Sequence, residues 1–314
     1  MKNNPTTKTN GSLLGRTFIG ILFGIAALYI VVVHWHTVSG SLEATRSAHL
    51  SWLLIALGCM VITMLIAAVI YGVLALHRLR YRQTVLVEVA AGFVNRILPS
   101  GLGSLGLHGV YLYKRKHTVA EATAVVSVNN LLGVTAHLSL LLFLIVLRPH
   151  VFQALHFHVA VRSVICVLIV LSAVLLIAAT APVIRRRVVG FARNLVRSFK
   201  KVSILSAAKA WGLAVMLTSL YVLILWFSGH AVDVHLSMLQ MFVVFTAGMF
   251  SGTIVPLPGG LVGMEAGLLV SLVAYDIPTA RAGAVVVIFR FVTYWLPIIP
   301  GVIALFLARR KRLV

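Results

Sequence analysis

The chain has 314 residues, 61% of them hydrophobic, with a mean hydropathy of +1.05, and it sets 27 Lys and Arg against six Asp and Glu for a formal net charge of +21. The apolar fraction excludes an ordinary soluble domain. The charge does not make a nucleic-acid binder, because the basic residues gather at the ends of apolar runs, as they do in cytoplasmic loops of polytopic helical membrane proteins facing anionic lipid. Residues 1–15 read as a cytoplasmic tail and 17–35 as a first span, an uncleaved anchor rather than a signal peptide, although small residues follow at Ser39 and Gly40. Residues 37–51 read as a short outer loop and 52–76 as a second span, returning to the basic run His77-Arg78-Leu79-Arg80-Tyr81-Arg82.

Residues 84–110 do not read as a simple span, since Glu88, Asn95 and Arg96 interrupt the apolar part and Pro99, Gly101, Gly103 and Gly106 break it. The run Lys114-Arg115-Lys116 follows, so both flanks are basic. A hairpin entering and leaving from the cytoplasm satisfies both flanks; an interfacial amphipathic helix is the alternative. Residues 119–147 form a span containing Asn129 and Asn130, 148–160 an outer loop with His156 and His158, and 161–181 a return span. Residues 185–209 are the largest cytoplasmic loop, basic and partly amphipathic, and 210–228 go out again to a short loop with Asp233.

The chemistry concentrates in residues 254–295. Pro256, Pro258, Gly259 and Gly260 break an apolar segment, Glu265 follows at once, and Arg290 and Tyr294 come one helical turn apart in the next apolar run. Backbone groups freed inside lipid must be satisfied by protein or cavity water. An ionisable residue in a span is by default a functional candidate, and opposite signs make Glu265 and Arg290 natural partners. The last span, 282–308, ends at Arg309-Arg310-Lys311-Arg312, so it starts outside, and the second broken segment enters and leaves from the outer side. LPSGLG at 98–103 and LPGGLVG at 257–263 lie about 159 residues apart, each preceding a long span. The expected fold is therefore an all-α polytopic membrane protein of about six full transmembrane helices plus two re-entrant hairpins in an inverted repeat. Its half-repeats run roughly 84–147 and 237–308, within one transmembrane domain over 16–314.

PLPGGLVGMEAGLLVSL (256–272), followed by FRFVTYWLPIIPG (289–301), resembles the flippase-like transmembrane domain of lysylphosphatidylglycerol synthases and the standalone membrane proteins built from it. Pro258, Gly259, Gly260, Glu265 and Arg290 fall on the family's motif, and ILPSGLG matches it more loosely. The family pattern usually carries a Glu just after the second Gly of the first half and an Arg a few residues on; here Ser104 and His108 stand near those places. The resemblance implies lipid translocation between leaflets, with two re-entrant hairpins meeting in the membrane. The aminoacyltransferase domain of the bifunctional enzymes is expected to be absent, because the chain stops six residues after Ala308.

Candidate substrate-binding residues are Glu265, Arg290, Tyr294, Pro258, Gly259 and Gly260 in the second half, and Arg96, Asn95, Gly101 and Gly103 in the first. Each has a plainer reading. Glu265 and Arg290 can be a purely structural ion pair, and Arg96 can snorkel to the cytoplasmic interface. Glu88 reads as a proton-coupling carboxylate or as the partner of Arg96, two turns away. Asn129 and Asn130 read as interhelical hydrogen-bond donors, Tyr294 as an interfacial or a cavity aromatic, and Pro297 and Pro300 as kinks. Cys59 and Cys166 lie in predicted spans without disulfide or metal spacing. No P-loop, GxSxG, metal triad or dinucleotide fingerprint is present, so no enzyme, cofactor or metal is expected. The expected function is movement of a phospholipid or other amphipathic lipid between leaflets of the bacterial inner membrane, with both termini cytoplasmic. The alternatives are a non-transporting scaffold of a lipid or envelope pathway and, third, an intramembrane transferase. The expected partners are membrane lipids with anionic head groups and no nucleic acid, a second copy of the chain or an envelope-pathway protein being left open.

Overall fold

A computed structural model describes residues 35–97, 102–148, 190, 202–254 and 260–314, and its regular structure there is entirely helical. In chain order the helices are α1 (Trp35–Arg46), α2 (Leu50–Leu74), α3 (Tyr81–Ile97), α4 (Leu102–Lys114), α5 (Val119–Leu147), α6 (Ile204–His230), α7 (Met238–Ile254), α8 (Gly263–Ala274), α9 (Thr279–Arg290) and α10 (Ile298–Arg310), with a π-helical turn (Phe291–Trp295) joining the last two. Four stretches among the described residues are long and apolar enough to cross a membrane: α2, α5, α6 and Thr279–Arg310. The expected spans at 17–35 and 161–181, with Cys166, His156 and His158, lie outside the described residues or nearly so. The exterior is as apolar as the interior, with Leu142, Phe143, Val146, Ile303 and Phe306 exposed. That would be a defect in water but costs nothing against lipid tails. The protein is an integral membrane protein.

The two halves repeat the same order of lengths. A helix of 25 residues, a pair of 17 and 13, and a span of 29 in the first half answer to 27, then 17 and 12, then Thr279–Arg310 in the second. Within each half the short helices pack on each other, α3 with α4 and α7 with α8. Between halves α2 lies along α6, and α10 lies along α3. The hairpins close at residues without side chains. A Cβ on Gly103 would sit 2.6 Å from the Val94 carbonyl oxygen, and one on Gly263 would sit 2.5 Å from that of Ser251. Small residues at these crossings let backbones approach, which is how helices gain packing in lipid. Gly263→Ala is therefore expected to lower thermal stability by about 1–3 kcal/mol, whereas Gly212→Ala, with nothing within 4 Å, leaves it unchanged or raised. Equal effects of the two in a denaturation series would contradict this packing.

Two expectations need correction. Residues 37–51 were expected to form a loop, but α1 occupies most of them. Its polar sequence hides the reason, which is tertiary: Gly40 and Ser41 lie against Ala280 and Gly283 of α9, small residue on small residue. The last span also does not simply kink at Pro297 and Pro300. The irregularity begins earlier, at the π turn, where Leu296 N donates to Phe291 O at 2.9 Å.

The turn between α4 and α5 is held by His117, which is buried. Its Nε2 accepts from the backbone N–H of Leu76 (3.1 Å) and His77 (3.3 Å), and its Nδ1 faces the Leu112 carbonyl at 3.1 Å. Only the neutral ring can accept at Nε2. Burial, reinforced by the neighbouring His77, pushes its pKa below the ordinary value. The neutral form is thus the one folding favours: its contribution is complete above about pH 6.5 and is lost as pH falls through the lowered folded-state value. Between pH 7.5 and 5 the wild type is expected to lose more thermal stability than His117→Gln; equal losses would remove this role.

Candidate functional site

Glu265 stands in the first turn of α8, where the helix N-terminus favours a carboxylate. The backbone just before it is unusual: Gly260 has φ +66° and Val262 has φ +69°, a conformation that a β-branched residue adopts only under strain. Arg290 closes α9, and its Nε donates to Glu265 Oε1 at 2.7 Å. Its Nη1 donates to Met264 Sδ at 3.5 Å, and its guanidinium lies 4.5 Å from the centre of the Tyr294 ring. Arg290 is 6% exposed.

Arg96 reaches the same ring from the other half, 5.7 Å from its centre. It does not snorkel. Its guanidinium donates to the carbonyls of Gly92 and Thr293, the latter at 2.7 Å. The second contact follows from the sequence of α10's entry: Pro297 has no N–H to give the Thr293 carbonyl, as an α-helix would require, and the Arg96 guanidinium donates there instead. Tyr294 in turn donates its hydroxyl to the Arg96 carbonyl at 3.3 Å. Tyr294 is therefore a cavity aromatic, holding the first hairpin to the last span.

Glu88 is not the partner of Arg96. Its Oε2 lies 2.8 Å from Nε2 of His108 on α4, a ring that is fully buried and stacked at 3.9 Å on Tyr71 of α2. Asn129 donates to the Tyr71 hydroxyl at 3.4 Å, the interhelical bond expected of it.

These groups surround a cavity of about 600 Å³ between the halves, lined by Glu88, Asn95, Arg96, Ser104, Asn129, Asn130, Arg290 and Tyr294 among apolar residues such as Met60, Phe245 and Phe289. Three of its polar atoms, or of their partners, are buried without a hydrogen-bond partner: Asn95 Oδ1, Arg96 Nε and Glu265 Oε2. The charges leave a remainder. Arg290 is paired with Glu265, and Glu88 faces His108, which leaves Arg96: among the described residues no carboxylate lies within salt-bridge distance of it.

Of the sequence candidates, Glu265, Arg290, Tyr294, Arg96 and Asn95 are brought together. Gly103 and Gly260 shape the hairpins, and Gly101, Pro258 and Gly259 lie outside the described residues. Counting from the helix starts, Ser104 and Asn130 occupy in α4 and α5 the places that Glu265 and Arg290 hold in α8 and α9. The first half thus answers the second half's ion pair with neutral polar groups. Tyr71, His108 and Thr293 were missed; the signal for Tyr71 was a lone phenol in an otherwise apolar 25-residue span.

The fold and site define a polytopic helical membrane protein with a cavity lined by charged and polar side chains among apolar ones. The chain belongs to the family described as the lysylphosphatidylglycerol synthase TM region, whose model matches residues 17–301. No curated protein matches the sequence.

Proposed function

We propose that the protein is a carrier, not an enzyme, and moves a phospholipid or similar amphipathic lipid with an anionic head group between leaflets of the bacterial cytoplasmic membrane. The observation that carries the reading is the unneutralised guanidinium of Arg96 in the cavity wall, next to the paired Arg290. A lone charge within a bilayer costs about 2.5–3.5 kcal/mol on insertion scales, and a phosphate head group would offset that cost while its acyl tails stay in lipid. Arg also suits phosphate by geometry, offering several donors in one plane.

The two short hairpins support entry from opposite sides. At about 1.5 Å per residue, the 12 residues of α8 reach about 18 Å, less than a ~30 Å hydrocarbon core. Basic runs flank the first hairpin, whereas the second is flanked by Asp233, Asp276 and the single Arg281, a bias that supports cytoplasmic termini. The basic loops gather anionic lipid on that face. Vesicles reconstituted with the wild-type protein are expected to move fluorescent phosphatidylglycerol faster than fluorescent phosphatidylethanolamine, above an empty-vesicle control. Equal rates for the two would contradict the anionic head group, and rates at the control level for both would contradict the carrier.

A further inference from the structure

We infer that the Glu88–His108 pair is a proton-binding site that couples proton movement to the lipid movement proposed above, on which this inference rests. His108 Nδ1 lies 2.9 Å from the carbonyl oxygen of Ser104, a group that only accepts, so Nδ1 carries a hydrogen. Nε2 then lies 2.8 Å from Glu88 Oε2, a contact that needs a proton between the two atoms. The pair therefore holds one proton, as imidazolium with carboxylate or as imidazole with carboxylic acid. The two ends of the pair differ in access. The His108 side chain is fully buried, whereas Glu88 is 19% exposed and lines the cavity, so a proton enters or leaves through Glu88.

The groups facing the pair are few. Tyr71 of α2 stacks on His108, the Ser104 hydroxyl oxygen of α4 also lies 3.2 Å from Nδ1 as a second acceptor, and Asn129 of α5 holds the Tyr71 hydroxyl. Tyr221 of α6 lies within electrostatic reach of Glu88 and of Arg96. On the far side of α3, α10 presents Gly301 and Ala308. Along α3 the full charges are Arg82, six residues and about 9 Å from Glu88, and Arg96, eight residues and about 12 Å away on the cavity side.

Charge couples the two sites. With the proton bound, the cavity is net positive and attracts an anionic head group. With the proton gone, the pair is negative, Arg96 is neutralised from within, and the head group is released. At an effective dielectric near 20 and about 12 Å, the difference is roughly tenfold in affinity. By linkage the lipid raises proton affinity by the same factor. The protein accordingly favours carrying a proton together with a lipid anion, in the same direction.

The test uses wild type, His108→Gln and Glu88→Gln in phosphatidylcholine vesicles containing a trace of fluorescent phosphatidylglycerol, with and without a pH gradient. The gradient is expected to drive the wild-type probe toward the alkaline leaflet several-fold faster than without it. His108→Gln should move the probe at one rate with and without the gradient. A wild type that moves lipid but ignores the gradient, or a His108→Gln that still responds, overturns the coupling and leaves the carrier standing. No movement in wild type overturns both. Should the variants not fold, calorimetry of wild type with short-chain phosphatidylglycerol in two buffers of different ionisation enthalpy decides: net uptake approaching about half a proton, the most a tenfold coupling allows, supports the coupling, and none overturns it.

Discussion

Arg290→Ala is expected to lower stability by about 3 kcal/mol, the low end of the range for breaking a buried ion pair, because 30% of the Glu265 side chain is exposed. The loss comes less from the attraction removed than from the carboxylate left behind: one Glu265 oxygen already lacks a hydrogen-bond partner, and the other would lose the Arg290 Nε that donates to it. Glu265→Gln removes the carboxylate that Arg290 meets at 2.7 Å, with Met264 and the Tyr294 ring among the contacts that remain to it. The double variant Glu265→Gln, Arg290→Met should be more stable than the sum of the two single losses predicts, by at least about 1 kcal/mol, since neither charge is then stranded. Denaturation of the four proteins in one detergent measures this. Strict additivity would show that the 2.7 Å contact carries no coupling.

Arg96→Met should act on transport as well as on stability. Its guanidinium donates to the Gly92 and Thr293 carbonyls, and a bond from a charged donor is worth about 1.5–3 kcal/mol. A hydrogen bond from it to an anionic head group is worth about 1.5–3 kcal/mol, so translocation of phosphatidylglycerol should fall roughly tenfold to 150-fold. Arg96→Lys keeps the charge but not the fork that meets Thr293 O and Gly92 O together, and should fall between the two. A variant that transports at the wild-type rate would remove Arg96 from the site and with it the charge remainder on which the proposed function rests.

What could be read from the residues follows physical lines. Apolar length made α2, α5 and α6 legible, because a span must be long and unbroken to cross lipid. Glu265 and Arg290 were legible as partners because two opposite charges in apolar sequence have little else to meet. Arg96 was not. Whether it turns to the interface or inward depends on α10 packing along α3 and on a carbonyl that Pro297 leaves without its helical donor, 201 residues along the chain. Glu88 and His108 stand 20 residues apart on either side of a hairpin break. The hairpin read from Pro99, Gly101 and Gly103 sets their helices side by side, but which residues meet depends on the close approach of Gly103 to Val94. The helix α1 was invisible for a similar reason, since its polar sequence is helical where Gly40 and Ser41 find α9.

The most direct measurement is to ask where an anionic phospholipid sits. Phosphatidylglycerol bearing a photoactivatable diazirine in its head group would be crosslinked to the wild-type protein in vesicles and the adducts mapped by mass spectrometry. The account predicts adducts on cavity segments around Asn95 and Arg96 of α3 and Phe289–Tyr294 of the last span, diminished in Arg96→Met. Adducts confined to lipid-facing residues such as Leu142, Phe143 and Phe306, unchanged in the variant, would contradict it.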